Sequence, residues 1–190
     1  IFLVGFNRDY YGDNIKFERH FSWPIPPKTP TKLGDILEDS SKIDEKYTLS
    51  SKLWEGHKKR KEKHKLKGNG FGYSLFNENS SYTRTLSARY YKDGSEILVD
   101  QKPHNNLPRR LTPRECARLQ GFPENFIVDA VSNAQAYKQL GNSVAIPVVK
   151  AVSIQLLSCM NVAEALKQSG NINYDDDFEN SNAELQYELF

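Results

Sequence analysis

Apolar residues along this chain fall into short blocks, and each block carries its own strand or helix period. Residues 1–6 (IFLVGF) are apolar up to the Gly5 break, which predicts a buried strand. Residues 7–30 hold Pro24, Pro26, Pro27 and Pro30 and predict loop. Short helices are expected over 31–37 and 47–54, the second with Leu49, Leu53 and Trp54 facing a core. In 81–100, Thr83, Thr85 and Leu86 read as strand, Lys92, Asp93 and Gly94 as a turn, and Ile97, Leu98 and Val99 as a second strand. This is a β-hairpin pattern.

The sharpest helix signals come later. Thr112, Pro113 and Glu115 form a helix start, with an N-cap, a proline at the first helical position and a capping-box partner. Gly121 and Pro123 stop that helix. Ser132 and Gln135 open a second helix, which is expected to end at Gly141. Asn142, Ser143 and Val144 then precede an apolar helix over 147–157, with residues 161–168 as its continuation. Placed before a helix N-terminus, Asn142 and Ser143 read either as ordinary caps or as an anion seat. Residues 170–182 read as disordered and 183–190 as a short helix.

Charge is unevenly spread. The 190 residues carry a formal +2, yet residues 158–190 hold one lysine against seven acids, a net −6, leaving +8 on the rest. The body suits a polyanion and the tail does not. No apolar run approaches the roughly 20 residues of a membrane span, and no signal peptide is visible, so no membrane partner is expected. Cys116 and Cys159 give neither a disulfide framework nor a metal spacing, which points to a reducing cytoplasm and no metal.

Candidate chemistry follows the charge. Residues 57–67 hold seven Lys/Arg and one Glu, including Lys59, Arg60 and Lys61, and read as a solvated face or a phosphate-contacting segment. A glycine loop follows, with Gly70 and Tyr73. Lacking an apolar strand before it and a helix after it, the loop is no nucleotide-binding fingerprint; its glycines allow close approach to DNA. Arg84, Thr85, Ser87, Arg89, Tyr90 and Lys92 read as one polar sheet face or as a groove reader.

The run R-x-L-T-P-R-E-C-A-R-L-Q-G-F-P, followed by A-Y-K-Q-L-G-N-S-V, resembles the last two signature motifs of DNA cytosine-5 methyltransferases. The segment T-R-T-L-S-A-R-Y-Y-K-D-G after the glycine loop is similar to Dcm-type members. The resemblance covers about residues 1–157. It implies an α/β chain, the C-terminal piece of a Rossmann-like methyltransferase fold with a small, irregular, β-containing recognition domain. Expected segments are a catalytic-domain strand (1–6), the recognition domain (7–108), motifs returning to the catalytic domain (109–157) and an acidic tail (158–190). Asn142, Ser143 and Val144 are implied to hold S-adenosyl-L-methionine, and Thr85 to contact double-stranded DNA near a flipped base.

The family's catalysis needs a Pro-Cys loop, a Glu-Asn-Val segment and a Phe-x-Gly-x-Gly turn. None occurs here, and both cysteines read as core thiols. The chain also opens inside a predicted strand without Met. No catalytic residue is therefore expected in this chain. An N-terminal catalytic half, upstream in the same product or in a separate subunit, is the expected partner, in a bacterial or phage-encoded cytoplasmic system. A non-catalytic DNA-binding module and a single-stranded RNA binder are the competing readings.

Overall fold

The computed structural model describes residues 2–12 and 15–169, apart from the side chains of Glu18 and Ser169. The tail expectations for 170–190 lie outside the described residues. In chain order the elements are α1 (Arg8–Tyr11), α2 (Phe17–His20), α3 (Ser51–Leu66), β1 (Leu75–Phe76), α4 (Tyr90–Asp93), β2 (Leu98–Val99), β3 (Arg109–Arg110), α5 (Pro113–Leu119), α6 (Asn133–Asn142) and α7 (Ile146–Ser169). Three 3-10 turns at Leu33–Ile36, Ser40–Lys42 and Glu45–Tyr47 complete the list. The chain forms two compact units: Thr29–Ile146, and the described residues up to Lys28 together with those from Pro147 onward. These units do not follow the four functional segments read from the sequence. Leu111, Cys116, Ala117, Tyr137 and Leu140 share one core with Leu86, Tyr90, Ile97 and Val99.

In the Thr29–Ile146 unit, α3 is capped by Ser50, whose hydroxyl accepts the Leu53 amide, and runs through the basic stretch to Leu66, after which Gly68 turns at φ +72°. The helix expected over 47–54 is therefore shifted and lengthened. Lys, Arg, Glu and Leu are good helix formers and no proline falls between 51 and 66, so the helix carries through Gly56. Leu49 is buried, Trp54 is half-buried and Leu53 is exposed.

The sheet has β2 in the middle, parallel to β1 (Leu75 beside Leu98) and antiparallel to β3 (Leu98 beside Arg110). The expected hairpin is corrected here. The Ser87 hydroxyl accepts the Arg89 amide and residues 90–93 coil into α4. Gly94, in the left-handed region at φ +61°, ends that helix rather than turning a hairpin. Helix α5 has the predicted capping box: the Thr112 hydroxyl accepts the Glu115 amide, and the Glu115 carboxylate accepts the Thr112 amide.

In the other unit the predicted buried strand over 1–6 is absent among the described residues, and Leu3 is 93% exposed. Among those residues no neighbouring strand offers it a ladder, while Phe6 is stacked on Phe17 at 3.9 Å. The predicted loop over 7–30 contains α1 and α2. Helix α7 buries Ala151, Gln155, Cys159 and Ala163, four residues apart, with Val152 beside them. Cys159 and Ala163 pack with Ile15 and Phe17.

By length and composition one helical stretch among the described residues is apolar enough to cross a membrane, an 18-residue window within Asn133–Gln168 with mean hydropathy 1.7. It is not an unbroken apolar run: Lys150, Ser153, Gln155 and Ser158 interrupt it.

Candidate functional site

The site rests on a buried ionic hub. Arg109 makes a two-pronged pair with Glu115 at 2.8 Å on each arm. Glu115 also accepts the amides of Thr112 and Glu38, so its carboxylate is saturated. The Thr112 hydroxyl donates in turn to the Glu38 carboxylate. Fully buried charge persists only when it is paired and hydrogen-bonded in this way. Two tyrosines extend the hub. The Tyr90 hydroxyl donates to the Ile97 carbonyl at 2.6 Å and accepts the Leu111 amide, while the Tyr137 hydroxyl donates to the Leu111 carbonyl. The R-x-L-T-P-R-E motif is thus the frame that holds α4, β2 and α6.

On that frame the Thr85–Ala88 stretch meets the Gly141 stretch. A Cβ on Gly141 would fall 2.3 Å from both the carbonyl carbon and the oxygen of Ser87, and 2.5 Å from the Ala88 nitrogen. Only glycine permits this backbone-on-backbone approach. Asn142 is the last residue of α6 and is exposed. Ser143 caps the helix, its hydroxyl donating to the Leu140 carbonyl at 2.7 Å, and Val144 is 55% exposed. Asn142 and Ser143 stand ahead of α7, as expected, but they also end α6, whose carbonyl pole favours positive charge. The exposed Asn142 amide offers both donor and acceptor, which suits a ligand bearing ammonium and carboxylate groups.

Of the predicted DNA-contacting residues, Lys59, Arg60, Lys61, Gly70, Arg84, Thr85, Arg89 and Lys92 are exposed. Arg60 pairs with Asp93 at 3.1 Å, which ties α3 to the end of α4 and brings the basic helix beside the Arg84–Lys92 segment. Tyr73 is half-buried, edge-on to Trp54 at 4.6 Å and beneath the Lys61 ammonium at 4.2 Å. Ser87 is half-buried, and its hydroxyl donates to Glu96 while accepting the Arg89 amide, so it shapes the loop. Tyr90 is 0% exposed, and its placement on a DNA-facing surface is corrected: it belongs to the core, where its hydroxyl makes two hydrogen bonds, to the Ile97 carbonyl and from the Leu111 amide.

Both cysteines are buried. Burial, reinforced by the Glu115 charge, pushes the Cys116 thiol well above its ordinary value, and burial raises Cys159 to about 11. Neither is a thiolate near neutral pH, so neither is poised as a nucleophile. Three roles escaped the sequence reading: Glu38 as an acceptor in the hub, Glu96 beneath Ser87, and Gly141 as a contact point. Only Gly141 had a signal, a glycine inside a helical pattern.

Comparison with known proteins gives the chain's family. The family model for C-5 cytosine-specific DNA methylases matches residues 1–158. The chain is 55% identical over 161 residues to the type II methyltransferase M.SsoII of Shigella sonnei, covering 85% of this chain and 40% of that protein. It is 43% identical over 190 residues to the DNA-cytosine methyltransferase of Escherichia coli K12, covering 88% of this chain and 39% of that one. The chain therefore spans less than half the length of these relatives. Among solved structures, a methyltransferase of Entamoeba histolytica aligns over 74% of this chain and 44% of its own, with TM-score 0.54 at 20% identity. The S. pombe Dnmt2 methyltransferase aligns over 68% and 42%, with TM-score 0.52 at 22% identity. These two share the Rossmann-like methyltransferase fold of which this mixed helix-and-sheet chain is a part. S-adenosyl-L-methionine is the cofactor of such methyltransferases. With a match running from the first residue through the Gly-Asn-Ser-Val segment, the chain belongs to the C-5 cytosine-specific DNA methylase family.

Proposed function

We propose that this chain reads duplex DNA and completes the cofactor site of a DNA cytosine-5 methyltransferase of a restriction-modification or Dcm-type system. The catalytic thiolate comes from a portion outside this chain, upstream in the same product or in a partner subunit. The observation that carries the reading is the backbone contact of Gly141 with Ser87 and Ala88, which joins the cofactor motif to the DNA-reading loop. Asn142, Ser143 and Val144 orient the amino-acid end of S-adenosyl-L-methionine, which supplies the methyl group. Arg84, Thr85 and Arg89 face the grooves, while Lys59, Arg60, Lys61 and Lys92 meet phosphates. Such an assembly works on DNA in the bacterial cytoplasm.

Two observations support the partner. The buried, protonated cysteines leave this chain without a ready nucleophile. Phe126, Ile127 and Val131 leave an apolar face on the Thr29–Ile146 unit and line a pocket of about 100 Å³ there. The test is reconstitution. The chain combined with its catalytic portion transfers labelled methyl groups to duplex DNA, and the Asn142→Ala variant loses cofactor affinity more than DNA affinity. Duplex binding with no methyl transfer and no cofactor binding in the same mixture would leave only a DNA-binding module.

A further inference from the structure

The glycine loop after α3 holds an aromatic ring in the open, and its surroundings say what for. Gly68 donates its amide to the Lys65 carbonyl at 3.0 Å, and Asn69 is tied to His64 twice, through its amide to the backbone and through its side chain to the ring at 2.7 Å. On the far side of Phe71, Gly72 lies flat on α3: at φ +148°, a Cβ there would be 2.8 Å from the Lys61 Cγ and 3.1 Å from its Cα. The loop is thus pinned on both sides, and the piece between the pins projects. Tyr73, the other aromatic of the loop, turns inward onto Trp54. Phe71 meets the edge of the His64 ring, with centroids 5.7 Å apart, and remains 69% exposed. Together with Lys61, Lys65 and residues 68–70 it lines a cleft of about 370 Å³.

We propose that this cleft is a stacking site for one base of the bound DNA, with the Phe71 ring as platform and Lys61 and Lys65 on the adjoining phosphate. The proposal rests on the duplex-reading function above and adds to it a base contact outside the Thr85–Ala88 loop. Three features select a nucleotide over an apolar partner. The cleft is bordered by lysines on a helix whose last two turns hold Arg60, Lys61, Lys63 and Lys65 against Glu62, with Lys67 capping the helix. The single large apolar surface it offers is a flat ring, which any base can stack on regardless of sequence. The same helix is joined to the DNA-reading segment by the Arg60–Asp93 pair, so a duplex following one lies within reach of the other. An aromatic wedge of this kind unstacks a base step and stabilises bent or opened DNA.

The test uses the assembled methyltransferase and a labelled duplex carrying a C-C-x-G-G site, the kind of target that the Dcm-type resemblance implies, titrated at several salt concentrations. Phe71→Ala weakens binding about 5- to 150-fold, the range for loss of one stacked base, and leaves the salt slope unchanged. Phe71→Trp restores the affinity. Lys61→Ala and Lys65→Ala instead lower the slope by about 0.9 each, as lost phosphate contacts do. In a duplex scanned with 2-aminopurine, one position changes its fluorescence with the wild type and not with Phe71→Ala. Wild-type affinity in Phe71→Ala, or a 2-aminopurine scan indifferent to residue 71, overturns the stacking site and leaves duplex recognition standing. Failure of the wild type to bind the duplex sinks that recognition and the stacking site with it.

Discussion

Replacing Gly141 by alanine tests the contact that joins the two motifs. The new methyl carbon would sit 2.3 Å from the Ser87 carbonyl group and 2.5 Å from the Ala88 nitrogen. Ordinary carbon contacts lie at about 3.5–4.0 Å, so α6 and residues 87–88 must separate by roughly 1 Å. Every obstructing atom is backbone, and no rotamer relieves the clash. Overpacking of this type costs about 1–3 kcal/mol, while alanine's better helix propensity returns at most about 1 kcal/mol. A net loss of about 1–2 kcal/mol corresponds to a fall in Tm of roughly 2–8 °C. The functional effect is larger, because a 1 Å misplacement in a positioned site costs on the order of 100-fold in rate. Thermal melting of the variant and methyl transfer by the assembled enzyme measure the two effects. A variant that melts with the wild type and methylates at the wild-type rate would refute the close approach.

The ionic hub, the basic helix and the reading loop give three further outcomes. Glu115→Gln leaves the Arg109 guanidinium buried without its counter-charge and lowers stability by about 3–5 kcal/mol; a urea midpoint matching the wild type would show that the pair contributes nothing net. Burial holds His57 below the ordinary histidine range, with Asp93 opposing and Arg60 assisting the shift. The unfolded chain then takes up the proton first as pH falls, so stability is full above about pH 6.5 and is lost from there down to the lower folded value. His57→Leu should flatten that stretch of the Tm–pH curve, whereas identical slopes in both proteins would assign the loss elsewhere. Arg89→Ala should relax sequence preference, at about 1–3 kcal/mol for a bidentate guanine contact; equal loss on cognate and random duplex would move Arg89 to the phosphates.

What could be read in the sequence was mostly local. The Thr112–Glu115 capping box and the Ser132 cap act within one turn, and both helices begin where those residues say. The Lys92-Asp93-Gly94 turn misled because a glycine at positive φ serves a helix end as well as a hairpin. Only the distant pairing of β2 with β1 and β3 decides between them. Tyr90 lies in a polar, basic stretch and looks exposed. Its burial depends on the Leu111 amide and the Ile97 carbonyl, the first 21 residues away in sequence. Residues 1–6 have a strand's composition, and composition supplies no partner strand. For the candidate site, motif resemblance named Asn142, Ser143 and Val144. The glycine within the α6 pattern marks a special position, but that it rests on Ser87 is a tertiary fact.

The central claim is that this chain completes a cytosine-5 methyltransferase. The most direct measurement is transfer of labelled methyl from S-adenosyl-L-methionine to duplex DNA, with the catalytic portion assayed alone, with this chain, and with the Asn142→Ala chain. The account predicts label on cytosine C5 only when this chain is present, and markedly less with Asn142→Ala. Full methylation by the catalytic portion alone, or none in any combination that binds DNA, would contradict it.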